Sequence, residues 1–177
     1  SKELCKVRRI GEEVLYVDQP IVEVRQSDIK LLFEQSQLNE RKTIRLCAHR
    51  DIGDLVHEML IVQPRGMYVR PHKHLNKTES FHFIEGLADV VLFNEDGDIT
   101  QVIRMGELSS DRVFYFRLVE PLFHTLLIRS DRIVFHEVTS GPFRREDNIF
   151  APFAPSPDDR QGQLRFIDSL ASKVDQF

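Results

Sequence analysis

The chain has 177 residues, 41% hydrophobic and 29% charged, with thirteen Phe, eight Gly and eight Pro, a profile that points to one globular domain with a Phe-rich core and no disordered tract. Its formal net charge of −4 gives no basic footprint for nucleic acid, and no apolar run approaches membrane-spanning length. Cys5 and Cys47 are too few for a disulfide framework, and the start SKELCKVRRIGEEV has no apolar signal core, so a reduced, cytoplasmic setting is expected.

A single domain over 1–177 is expected, with an N-terminal strand and helix in 1–44, a barrel core in 45–140 and a C-terminal strap and helix in 141–177. In VLYVDQPIVEVR two short β-branched runs are broken at Asp18 to Pro20, which predicts an edge strand with a kink. Ser27 or Asp28 can then cap a short helix in SDIKLLFEQSQLNE, whose stripe of Ile29, Leu32, Phe33 and Leu38 makes it a lid on the sheet. The basic runs Lys6 to Arg9 and Arg41 to Arg45 read as solvated surface.

From Arg45 onward β character takes over, in HEMLIVQPRGMYVRPHKH, SFHFIEGLADVVLF, DITQVIRM, RVFYFRLV, HTLLIRS and DRIVFHEV. Many short strands at near-regular spacing predict an all-β sandwich or barrel. Asn94 to Asp98, NEDGD, carries the strongest hairpin signal, and Ser130-Asp131 a weaker one. The proline-rich EDNIFAPFAPSPDDRQG predicts an irregular surface strap, and Leu164, Ile167, Leu170 and Val174 lie near helical spacing for a C-terminal helix.

The stretch GMYVRPHKHLNKTESFHFIEG, from Gly66 to Gly86, carries the chemistry. His72 and His74 are two apart and leave the same face of a strand, and a turn through Leu75, Asn76 and Lys77 brings Glu79 alongside them, giving three ligands from one hairpin. Imidazole nitrogen and carboxylate oxygen suit one divalent ion such as Fe, Mn, Ni or Zn.

This stretch resembles the first cupin motif, with Gly66, His72, His74, Glu79 and Gly86 in its slots. A second cupin motif supplies a further histidine ligand from a later strand. VEPLFH resembles it, with His124 as the ligand and Val119 and Pro121 standing where that motif has Pro and Gly. More widely, RLCAHRD, YVRPHKHLNKTESFHFIEG, LFNEDGDI, HTLLI, FHEVTSGPF and APFAPS resemble the WbuC-type cupin-fold metalloproteins. The resemblance implies a double-stranded β-helix, the cupin jelly-roll barrel, with a short N-terminal helix and a C-terminal helix. It also implies a setting near bacterial surface-polysaccharide (O-antigen) synthesis, without fixing a reaction.

Counting back by twos from His72 turns Arg70 and Tyr68 into the cavity, where a guanidinium would meet either an acidic ligand or a protein carboxylate such as Glu137. Phe81 and Phe83 share the face of Glu79 as an apolar wall, with His82 pointing away, and Leu126 and Ile128 follow His124 inward. The alternation in Ile133 to Val138 leaves open whether His136 or Glu137 reaches the pocket. His49, His57, His82 and His136 read as ordinary histidines, Cys47 as an inert buried thiol, and Lys77 as a solvated loop lysine, with a guard at the cavity mouth as its alternative.

Such a pocket suits a small-molecule ligand, anionic or sugar-like. Two classes of function follow. One is a metalloenzyme acting on a small acidic or sugar-derived metabolite, by isomerisation, epimerisation, lyase chemistry or, with Fe(II), as a dioxygenase. The other is a non-catalytic, metal-dependent sugar or metabolite binding module. By analogy with other cupins a homodimer is expected, paired through the first strand segment.

Overall fold

A computed structural model of the chain describes residues 6–177; Cys5, one of the two cysteines considered above, lies outside the described residues. The elements run β1 (Val7–Ile10), β2 (Val14–Val17), α1 (Gln26–Ser36), β3 (Ile44–Cys47), β4 (Val56–Pro64), β5 (His72–His74), β6 (Glu79–Glu85), β7 (Leu87–Phe93), β8 (Ile99–Gly106), β9 (Tyr115–Leu118), β10 (Phe123–Ile128), β11 (Arg132–Ser140), β12 (Asn148–Phe150) and α2 (Arg160–Gln176). They build two sheets, of order β1-β2-β3-β4-β11-β6-β9 and β12-β5-β10-β7-β8. The chain repeatedly crosses from one sheet to the other, at β5 to β6, β6 to β7 and β10 to β11, which makes the fold a jelly roll.

The inner faces meet in a core that includes Phe81, Phe83, Ala88, Val90, Leu92, Leu126, Ile128 and Phe135. Each large apolar side chain taken fully out of water there contributes about 1.5–3 kcal/mol. The long apolar run of β7 has a simple reason. Ala88, Val90 and Leu92 face the barrel interior, while Val91 and Phe93 face outward under α2 and pack near Leu170 and Val174. On the other sheet, Leu32 of α1 is buried among Leu15, Ile44, Leu46, Val62 and Val134, so this helix covers the outer face as a lid.

Several local expectations are corrected. The strand of VLYVDQPIVEVR is not an edge, because β1 pairs with it on one side and β3 on the other. Helix α1 begins after Arg25, whose backbone N–H donates to the Asp28 carboxylate at 2.6 Å, so Asp28 closes the first turn from inside the helix. Leu38 lies beyond the helix end and is 87% exposed. Ser130 and Asp131 join strands of opposite sheets and form no hairpin. Within SFHFIEGLADVVLF the chain changes sheet at Gly86, which has φ +87°, and any Cβ there would run into the Arg132 carbonyl oxygen. The strap is partly regular, since β12 pairs with β5. By contrast, Asn94 to Asp98 does turn β7 into β8. Helix α2 spans the segment predicted, with the Asp159 side chain accepting from the Gly162 N–H at 2.8 Å, although Leu164 faces solvent.

Among the described residues no helix is long and apolar enough to cross a membrane.

Candidate metal centre

Three strands bring the proposed ligands together. The two histidines of β5 alternate with Lys73, which turns away to meet Glu95 at 2.6 Å. His72 and His74 therefore share the inner face. His72 pairs directly with His124 on β10, so the third imidazole leaves the same face one strand over. Ring centroids lie 4.7 Å apart for His72–His74 and for His72–His124, and 5.6 Å for His74–His124. One nitrogen from each comes within 4.8 Å of the other two. Glu79 approaches from the opposite sheet, Oε1 lying 3.4 Å from His74 Nε2 and Oε2 3.0 Å from His124 Nε2. The histidine pair and the carboxylate thus face one another across the barrel and are not two arms of one hairpin, because β5 and β6 belong to different sheets.

The other ring nitrogens fix the tautomers. His72 Nδ1 lies 2.8 Å from the Arg70 carbonyl oxygen, His74 Nδ1 2.7 Å from Asn148 Oδ1, and His124 Nδ1 2.9 Å from the Leu122 carbonyl oxygen. A carbonyl oxygen only accepts, so each Nδ1 carries the proton and donates. Each Nε2 is then a bare lone pair. Two of them, on His74 and His124, are buried together with Glu79 Oε2, and none of the three makes an aligned hydrogen bond. With the rings neutral, lone pairs aimed at one another repel, and the conflict is removed either by a proton shared between His124 and Glu79 or by a cation at their centre.

The electrostatics separate the groups. Burial, with His124 alongside, lowers His72 to about 4, so this imidazole stays neutral at any physiological pH. Burial pushes against charge on Glu79 and His124 as well, but their mutual contact wins, holding the carboxylate well below its usual range and raising the imidazole. Glu137 faces the same cavity, and burial followed by the repulsion of Glu79 raises its carboxyl to about 7.

The cavity holding these groups has a volume of about 380 Å³. Phe81, Leu126 and Glu137 line it, and Phe83 continues the same face deeper into the core. His82 points outward as expected. On β11 it is Glu137 that turns inward, while His136 sits on the outer face 3.3 Å from Glu58. Tyr68 and Arg70 are corrections. Residues 68–71 are not strand, so counting by twos from His72 fails and Val69 takes the inward position. The Tyr68 hydroxyl donates to the Pro155 carbonyl at 2.8 Å with its ring against Phe166, and Arg70 lies over Phe150 at 4.5 Å.

Sequence reasoning also missed residues. Asn148 comes to His74 from 74 positions away, with no local signal. Arg45 is exposed, as the solvated run predicts, but it also lines the cavity. Its signal was present: in IRLC, Ile44 and Leu46 are buried under α1, which puts Arg45 on the inner face beside Cys47. Cys47 is buried there, and burial pushes its thiol up to about 11, an inert state. His57 lines the wall, stacked on His49 with centroids 4.1 Å apart, and Lys77 lines the mouth.

Residues 24–105 match the family model described as "Domain of unknown function (DUF6016)". That stretch, under half of the chain, contains His72, His74 and Glu79 and stops short of His124. No curated protein matches the chain in sequence. Among solved structures, protein SO0799 from Shewanella oneidensis is 14% identical with a TM-score of 0.47, the match covering 58% of this chain and 66% of that one. Oxalate decarboxylase from Bacillus subtilis is 20% identical with a TM-score of 0.44, over 56% of this chain and 24% of that one. The cupin domain of Schizosaccharomyces pombe Cnp3 is 11% identical with a TM-score of 0.44, over 57% and 66%. The chain thus spans about a quarter of the oxalate decarboxylase chain and just under two thirds of the other two.

Proposed function

We propose that the protein is a cupin-type metalloprotein that binds one divalent ion through Nε2 of His72, His74 and His124 and the Glu79 carboxylate, and acts as an enzyme on a small metabolite. The observation that carries this reading is the convergence of three imidazole Nε2 atoms, each ring anchored through Nδ1 to a carbonyl oxygen, on one buried carboxylate. Two histidines on β5, one on β10 and a glutamate on β6 form a donor set suited to Fe, Mn, Ni or Zn. Such an ion supplies Lewis acidity to an oxygen of whatever binds beside it. Phe81 and Leu126 keep bulk water from that point. Glu137, whose carboxyl titrates near neutrality, is the group able to give or take a proton in the cavity. This equipment suits isomerisation, epimerisation or lyase chemistry. The resemblance of the chain to WbuC-type proteins supports a setting in bacterial surface-polysaccharide synthesis.

The test is metal titration of chelator-stripped protein with Mn, Fe, Ni and Zn salts in turn, read by elemental analysis and by thermal unfolding. One ion per chain is expected. At a hundredfold excess over Kd, binding adds about 2.7 kcal/mol of stability. His124→Ala and His72→Ala are expected to abolish the gain while the variants remain folded by circular dichroism. No uptake of any of the four ions, or uptake undisturbed in both variants, refutes the reading.

A further inference from the structure

The inner face of the seven-stranded sheet carries a cation, Arg45, that is exposed to solvent and lines the cavity. Arg45 on β3 lies in register between Val14 of β2 and Ile61 of β4, and its guanidinium reaches the Met59 sulfur at 4.0 Å. Among the described residues no carboxylate lies within ion-pair distance of its guanidinium. Lys77, on the turn after His74, is the second cation lining the cavity and likewise has no carboxylate within ion-pair distance among the described residues; its ammonium lies 4.9 Å over the Phe143 ring. Two part-buried arginines, by comparison, do find partners, Arg129 with Asp89 at 2.7 Å and Arg132 with Glu85 at 2.7 Å.

From this we infer that the metal cavity is built for a small anion, a carboxylate or phosphate ester that binds beside the metal with one end and is gripped by Arg45 and Lys77 at the other. The inference rests on the metal reading above and deepens it. A divalent ion with Arg45 and Lys77, set against Glu79 and Glu137, leaves the loaded cavity with surplus positive charge, which a neutral sugar cannot balance and an anion can. A guanidinium with unoccupied donors meets carboxylate or phosphate in bidentate fashion, and Phe143 and Ile52 at the mouth cover the remainder of a short ligand. The volume of about 380 Å³ holds roughly a dozen waters' worth of ligand, enough for a small acid or sugar phosphate. Arg70, the candidate from sequence, points elsewhere; Arg45 takes that place.

The experiment uses the full chain loaded with Co(II), whose visible spectrum reports on its surroundings, titrated with malonate, inorganic phosphate and glucose. Arg45→Met and Lys77→Met are tested beside it, with cobalt uptake measured independently for each. Saturable spectral change with malonate, phosphate or both is expected, with none from glucose; malonate alone marks a carboxylate site and phosphate alone a phosphate site. Each variant should take up cobalt and weaken the anion at least tenfold. Cobalt uptake with no response to either anion, an equal response to glucose, or unchanged anion affinity in both variants overturns the inference and leaves the metal reading standing. Failure to take up cobalt together with failure to take up Mn, Fe, Ni or Zn overturns both.

Discussion

Glu137→Gln tests the electrostatics of the cavity without any metal. The folded protein keeps the Glu137 proton between the ordinary value of 4.5 and about 7, a range in which the unfolded chain has released it. The folded state therefore binds more protons across that window, and stability falls as pH rises through it. A shift of this size corresponds to about 3 kcal/mol, of which about 2–3 kcal/mol is lost between about pH 5 and pH 8. His72 tilts the profile the other way. Its imidazole is lowered to about 4, so the unfolded chain binds the extra proton and stability rises with pH up to about 6.5. Wild type and variant share that slope, and their difference isolates Glu137. In chelator-treated protein followed by urea unfolding, Glu137→Gln should match wild type near pH 5 and exceed it by about 2–3 kcal/mol near pH 8, or roughly 5–10 °C in Tm. Because Glu137 keeps some contact with water through the cavity mouth, these figures are upper values. A difference that does not change with pH refutes the reasoning.

Asn148→Ala removes the acceptor that fixes the His74 tautomer, and should lower metal affinity 10–100-fold in a chelator competition while leaving the barrel folded. Gly86→Ala places a Cβ against the Arg132 carbonyl at a positive φ, and is expected to cost more than about 2 kcal/mol in urea unfolding; a near-neutral effect would show that the β6–β7 crossing is not tight. Leu32→Ala should destabilise by about 2–5 kcal/mol by opening a void beneath α1, with hydrogen exchange rising first in that helix.

What the chain reveals before folding is mostly what alternates. Most strands of the barrel core, the Asn94–Asp98 turn and both helices follow from periodicity and turn chemistry, whereas β1 and β12 fall in stretches read as solvated surface and irregular strap; His72 and His74 share a face because they are two apart within β5. Legibility fails where the period is interrupted. Residues 68–71 are not strand, so a two-residue count carried from His72 put Tyr68 and Arg70 on the wrong side. A count also cannot choose a face for β11, whose apolar side chains flank both His136 and Glu137. The register with β6 decides it, since Phe135 and Glu137 lie opposite Phe83 and Phe81. Which strand joins which sheet is a non-local matter too. The turn after His74 looks like a hairpin in sequence, yet it carries the chain across the barrel.

The strand pairing β12–β5 bears on when the metal centre is complete. Asn148, the acceptor for His74, arrives well after His72, His74, Glu79 and His124. A nascent chain leaving the ribosome exposes all four donors before that acceptor emerges, leaving His74 free to rotate or change tautomer. On the proposed metal reading, full-strength loading would be a late event in biosynthesis, and a product truncated ahead of Asn148 would hold an ion with a slack imidazole.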